Sequence, residues 1–127
     1  MRPFRYVRFF AEIGIGDVAI VGGKNASLGE MYRELGSHGV RVPNGFAVVS
    51  SAYWLMLERA GVLPTMKEII SGLDPSNVDD LATRGRVLRD IVYGAGLPED
   101  VRREIIEAYR ELQDEYGASL SLAVRSS

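Results

Sequence analysis

Val21-Gly22-Gly23-Lys24-Asn25-Ala26-Ser27-Leu28-Gly29-Glu30-Met31 is the stretch on which the reading of this chain turns. Two adjacent glycines leave the backbone without Cβ atoms, so its N–H groups can approach a ligand closely. A lysine follows, a compact full positive charge. Leu28, Met31, Tyr32 and Leu35 then recur at helical spacing and predict a helix over residues 25–35, with Asn25 or Ser27 near its cap and Gly36 closing it. A helix N-terminus carries unpaired donors and a partial positive charge. Glycine, lysine and helix start together suit the binding of a phosphate.

Three nucleotide patterns compete for these glycines. A P-loop needs Gly-x-x-x-x-Gly-Lys-Ser/Thr. Gly23-Lys24 would end it, but position 18 is Val and position 25 is Asn, so it fails at two required places. Gly14-Ile15-Gly16-Asp17-Val18-Ala19 matches the dinucleotide fingerprint Gly-x-Gly-x-x-Gly/Ala. That motif's helix would have to run through Gly22-Gly23, at about 1 kcal/mol for each glycine. The third pattern, a phosphate grip by Gly22, Gly23, Lys24 and the helix behind them, meets no such objection.

The bulk composition sets the frame. At 127 residues, 46% hydrophobic and 25% charged, the chain reads as one globular domain. Its net charge of −2 points to neither nucleic acid nor an anionic membrane as partner. Without cysteine there is no disulfide frame, thiolate metal site or cysteine nucleophile, which suits a reducing cytoplasm. The apolar run behind the arginines at 2, 5 and 8 is too short and too interrupted for a leader or a membrane span. Thirteen arginines stand against two lysines, Lys24 and Lys67, which makes a lysine directly after Gly-Gly more notable.

Outward from the centre, aromatic and β-branched residues predict strands over 4–13 and 46–49, and alternation predicts another over 120–124. Pro43-Asn44-Gly45 marks a turn. Helices are expected from Ser50 or Ser51 to about 60, over 65–71 and 78–93, and from Pro98 to about 116. In the last, Val101, Ile105, Tyr109, Leu112 and Tyr116 form one apolar face. Tyr53, Trp54, Leu57 and Ala60 are expected on the inner side of the second helix. The fold class is therefore α+β, with helices packed on a small mixed sheet.

Three ordered segments carry a resemblance. Val21 to Met31, then Val42-Pro43-Asn44-Gly45-Phe46, then Leu122-Ala123-Val124-Arg125-Ser126-Ser127 resemble the N-terminal part of the phosphoenolpyruvate synthases and, less closely, the pyruvate, phosphate dikinases. The resemblance implies the first part of an ATP-grasp nucleotide-binding domain. In such enzymes this domain takes ATP and passes a phosphoryl group to a histidine on a separate domain. A barrel domain then phosphorylates pyruvate, with magnesium. By matching motif, Lys24 and Arg125 are the ATP phosphate contacts, Gly22 and Gly23 let the loop approach, and Ser126 and Ser127 donate hydrogen bonds. A compact lysine and a forked arginine would spread positive charge around the moving phosphoryl group.

The resemblance also implies what lies elsewhere: the adenine pocket, the magnesium-binding acids, the rest of the ATP-grasp domain and the phosphohistidine domain. A chain stopping at a predicted core strand is expected to be truncated, catalytically incomplete, and prone to form a homodimer through that exposed C-terminal strand. The alternative is a stand-alone, non-catalytic module of the same fold that binds a phospholigand or a partner. His38 reads as an exposed turn residue, Asn44 as a turn residue, and Asp79 and Asp80 as helix-start acids.

Overall fold

The computed structural model describes residues 3–127, so Arg2 of the N-terminal arginine set lies outside the described residues. The order of elements is β1 (Val7–Phe9), two short 3-10 turns (Phe10–Glu12 and Ile15–Asp17), α1 (Val18–Val21), α2 (Gly23–Gly36), β2 (Phe46–Val48), α3 (Ser50–Arg59), α4 (Leu63–Ser71), α5 (Val78–Ala95) and α6 (Glu99–Tyr116). The class is α+β, with six helices and a two-stranded antiparallel sheet among the described residues. The chain divides into two compact units, Met1–Ala52 with Glu99–Ser127, and Tyr53–Pro98.

In the first unit β1 and β2 pair in the register Val7↔Val48, Arg8↔Ala47, Phe9↔Phe46. Val49 N donating to Tyr6 O (2.9 Å) and Phe10 N donating to Gly45 O (3.0 Å) extend the ladder at both ends. The strand expected over 4–13 is cut to three residues because the chain turns at Phe10, where the Glu12 carboxylate takes the Phe9 N–H at 2.8 Å. Helix α6 is tied to the start of this strand by Glu104, whose two carboxylate oxygens accept from Arg5 N (2.7 Å) and Tyr6 N (2.6 Å). Its face buries Val101, Ala108 and Leu112, while Tyr116 at the end of that face is exposed.

Helix α2 packs on the segment between β1 and α1, and Gly29 makes that approach close. A Cβ there would lie against the Ile13 side chain and 2.5 Å from the Ile13 carbonyl oxygen. Ile13 is itself buried, as are Val21 and Ala26.

In the second unit, Arg84 of α5 donates from Nε to Asp80 (3.0 Å) and from Nη1 to the carbonyl of Ile69 on α4 (2.8 Å). Asn77 caps α5 by accepting from Asp80 N at 3.1 Å. Asp80 is thus used by the helix start and by Arg84.

Several expectations are corrected. No strand forms over 120–124: the two described strands pair only with each other, and an alternating segment with no partner edge has nothing to make its ladder with. Val124 is 93% exposed there. A homodimer built through that strand therefore lacks its strand, and the small sheet is antiparallel rather than mixed. Tyr53 and Trp54 do not face inward: Trp54 is 58% exposed and stacks edge-on with Tyr53 at 5.7 Å, while Ala52 and Leu57 are the buried residues of α3. Helix α2 starts two residues earlier than expected, and residues 18–21 form a helical turn of their own.

Candidate functional site

Gly22 is the joint between two helices. Its N–H closes α1 on Val18 O (2.8 Å), and its carbonyl accepts the first bond of α2 from Ala26 N (3.0 Å). Between these bonds the backbone takes φ 83° and ψ 163°, a conformation that only glycine adopts without strain. The reversal explains why Gly14-Ile15-Gly16 is not a dinucleotide turn. Its helix ends after one turn at Val21, and no parallel strands occur among the described residues.

The N–H groups of Gly23, Lys24 and Asn25 precede the first α2 ladder bond and so lie outside that ladder. Gly22, at the N-cap, has no side chain to cap them. Asn25 N donates instead to the Ser127 hydroxyl at 3.1 Å, from a residue 102 positions away. The Asn25 side chain reaches back, donating from Nδ2 to Val21 O at 2.9 Å. The first and last motifs of the sequence therefore meet at the start of α2. Arg125 and Ser126 directly precede Ser127, and two residues of chain keep Arg125 within about 7 Å of it along the backbone.

Lys24, Arg125 and Ser126 are exposed, and neither cation has a hydrogen-bond or ion-pair partner among the described residues. The two glycines differ. A Cβ on Gly22 would lie 2.5 Å from the Ser127 hydroxyl oxygen and 3.0 Å from its backbone carbon, whereas a Cβ on Gly23 would meet nothing within 4 Å. Ser127 occupies the space beside Gly22, and Gly23 faces open space next to Lys24. Sequence reading ranked neither Ser127 as a cap nor Asn25 as a clasp. The only local signal was a helix start whose N-cap is a glycine.

The other residues singled out have local work. His38 is exposed in the turn after α2. Asn44 pins the Val42–Phe46 motif to the end of α6: its N–H donates to Tyr116 Oη (2.8 Å), its Nδ2 to Glu115 (2.9 Å), and its Oδ1 accepts from Gly45 N (2.9 Å). Beside this contact lies an open groove of about 1000 Å³ lined by Tyr32, Arg41, Pro43 and Tyr116 among others. Burial raises the Tyr32 hydroxyl above its ordinary pKa, with Glu115 and then Tyr116 adding to the shift. The second unit has an apolar groove of about 480 Å³ between Tyr53, Met66, Leu88 and Val92. Residues 22–25 of the α2 start do not line the first unit's groove. No cluster of three or more His, Cys, Asp or Glu side chains that could hold a metal occurs among the described residues. No helix of the described residues is long and apolar enough to cross a membrane.

Residues 18–127, which include the whole of this arrangement, match the family described as Pyruvate phosphate dikinase, AMP/ATP-binding domain. The chain belongs to that family. It is 42% identical over 124 residues to a phosphoenolpyruvate synthase of Helicobacter pylori, covering 97% of this chain and 15% of the relative. It is 38% identical over 121 residues to the phosphoenolpyruvate synthase of Escherichia coli, covering 95% of this chain and 15% of the relative. A probable phosphoenolpyruvate synthase of Methanocaldococcus jannaschii is 38% identical over 124 residues, 97% of this chain and 10% of the relative. The chain thus spans about a seventh or less of the length of these relatives. A family defined by AMP/ATP binding does not favour the reading as a stand-alone phospholigand module.

Proposed function

We propose that this chain is the phosphate-gripping N-terminal part of the ATP-binding domain of a phosphoenolpyruvate synthase-like phosphotransferase, with the ATP-grasp fold completed by residues outside it. The complete enzyme would convert ATP, pyruvate and water to AMP, phosphoenolpyruvate and phosphate in the cytoplasm. The observation that carries the reading is the meeting of Ser127 with the α2 start, with Lys24 and Arg125 exposed and unpaired.

Each group then has a role. Lys24 supplies a compact charge at the helix end and Arg125 a forked one that can take two oxygens of a phosphate. The N–H groups of Gly23 and Lys24 point out of the α2 ladder, and the helix dipole favours an anion there. Gly23, with no atom near its missing Cβ, allows close approach. The Ser126 hydroxyl is a further donor. Magnesium would spread the triphosphate charge in the complete enzyme. Its ligands would come from the remainder of the ATP-binding domain, as the resemblance implies.

The test is titration of the 127-residue chain with ATP and magnesium, followed by NMR, beside Lys24→Ala. Saturating shifts at the Gly23 and Lys24 amides, with affinity reduced about tenfold or more in the variant (~1.4 kcal/mol), are expected. An unmoved α2 start at millimolar ATP in a folded chain, or an unchanged titration in Lys24→Ala, would overturn the reading.

A further inference from the structure

The geometry points to Ser127 as a positioning residue that clasps the Arg125–Ser127 segment onto the start of α2 and so delivers Arg125 to the side where Lys24 stands. Helix α2 has an unusual start. Its N-cap must be glycine, because φ is 83° and because a Cβ at Gly22 would run into Ser127. A glycine cap leaves the third N–H of the helix, that of Asn25, without the side-chain oxygen that Ser, Thr, Asp or Asn would offer. The Ser127 hydroxyl offers it from across the fold at 3.1 Å.

The fit is mutual. Gly22 is bare so that Ser127 can lie against it, and Ser127 carries a hydroxyl where Gly22 carries nothing. The Asn25 side chain holds the Gly22 joint from the inside through Val21 O at 2.9 Å. The paired glycines thereby divide their labour: Gly22 receives the 125–127 segment and Gly23 faces outward. Without the clasp, Arg125 sits on an exposed segment that belongs to no strand or helix. The entropy of ordering that segment would then fall on the ligand.

The clasp stands on the ligand-free structure, whereas its consequence for Arg125 rests on the ATP reading above. Two measurements separate them. The first is amide hydrogen exchange of the ligand-free chain by NMR. Ser127→Ala should speed exchange at Asn25 about fivefold while buried amides of α2 keep their protection, and Ser127→Thr, which retains the hydroxyl, should restore it. Unchanged exchange at Asn25 in Ser127→Ala overturns the clasp whether or not ATP binds. The second is a double-mutant cycle on ATP affinity. Arg125→Ala should weaken binding at least threefold more in the parent than in the Ser127→Ala background. An equal loss in both backgrounds overturns the positioning role. A chain that shows the exchange effect but no ATP-dependent shift at Gly23 and Lys24 supports the clasp and rejects the ATP reading.

Discussion

The two units of this molecule are built to different standards. Of the thirteen apolar residues buried among those described, twelve lie in Met1–Ala52 with Glu99–Ser127, and one, Leu57, lies in Tyr53–Pro98. The first unit draws its core from segments far apart in sequence. A strand pair, a helix seated on Ile13 through Gly29, and α6 bound to the strand by Glu104 close over one another. In the second, α4 and α5 have no fully buried residue, and polar ties such as Arg84 to Ile69 O join them. A core assembled from distant segments holds a site rigidly, and the α2 start with Lys24 belongs to that unit. Half-buried helices with an exposed tryptophan form the less tightly packed unit.

The largest test of this contrast is a pair of truncations. Leu112, 1% exposed, should cost about 2–5 kcal/mol as Leu112→Ala in urea unfolding. Ile70, 54% exposed, should cost less than about 1 kcal/mol as Ile70→Ala. Similar costs at the two positions would break the comparison.

A sharper test uses one substitution twice. Gly29→Ala drives a methyl into the Ile13 side chain and carbonyl, and should destabilise by about 1–3 kcal/mol. Gly85→Ala, inside α5, meets only the far end of Arg89 at 3.4 Å. It should stabilise by about 0.5–1 kcal/mol through helix propensity. Thermal or urea unfolding of the two variants should show opposite signs. A gain at Gly29 would mean that the helix does not pack where described.

The smallest effect is one of pH, in the loop between α4 and α5. Asp74 accepts from the Ser76 hydroxyl (2.7 Å) and the Ser76 N–H (3.0 Å), and these bonds lower its carboxyl pKa, the hydroxyl contributing more. Because the folded pKa lies below the unfolded one, the stabilisation is complete above the unfolded value and disappears as pH falls through the folded one. The Ser76 amide shift should titrate with a midpoint below the ordinary 3.8, and Asp74→Asn should abolish that titration. A midpoint at or above 3.8 would remove the loop's bonds from the account.

Helices were legible where their signals are local. Asp79 and Asp80 mark the start of α5, and the spacing of Val101, Ile105 and Leu112 outlines α6. Both strands were visible as aromatic and β-branched runs, though the first was read too long, because the carboxylate that ends it lies three residues ahead in a turn. Trp54 was misplaced because helical spacing shows which residues share a face but not whether anything covers that face. The 120–124 segment has the alternation of a strand, and strand formation needs a partner edge that alternation cannot supply.

The same division holds at the candidate site. The sequence by itself determined that Gly22, Gly23 and Lys24 stand next to a helix start and that the chain carries the motifs of its family, since glycine freedom, lysine charge and helical spacing are properties of neighbouring residues. Only the tertiary structure decided that Gly22 and Gly23 are unlike, that α2 begins at Gly23, and that Ser127 caps it from 102 positions away. A hydrogen bond across that separation depends on how the intervening chain folds, and no window of local sequence contains it.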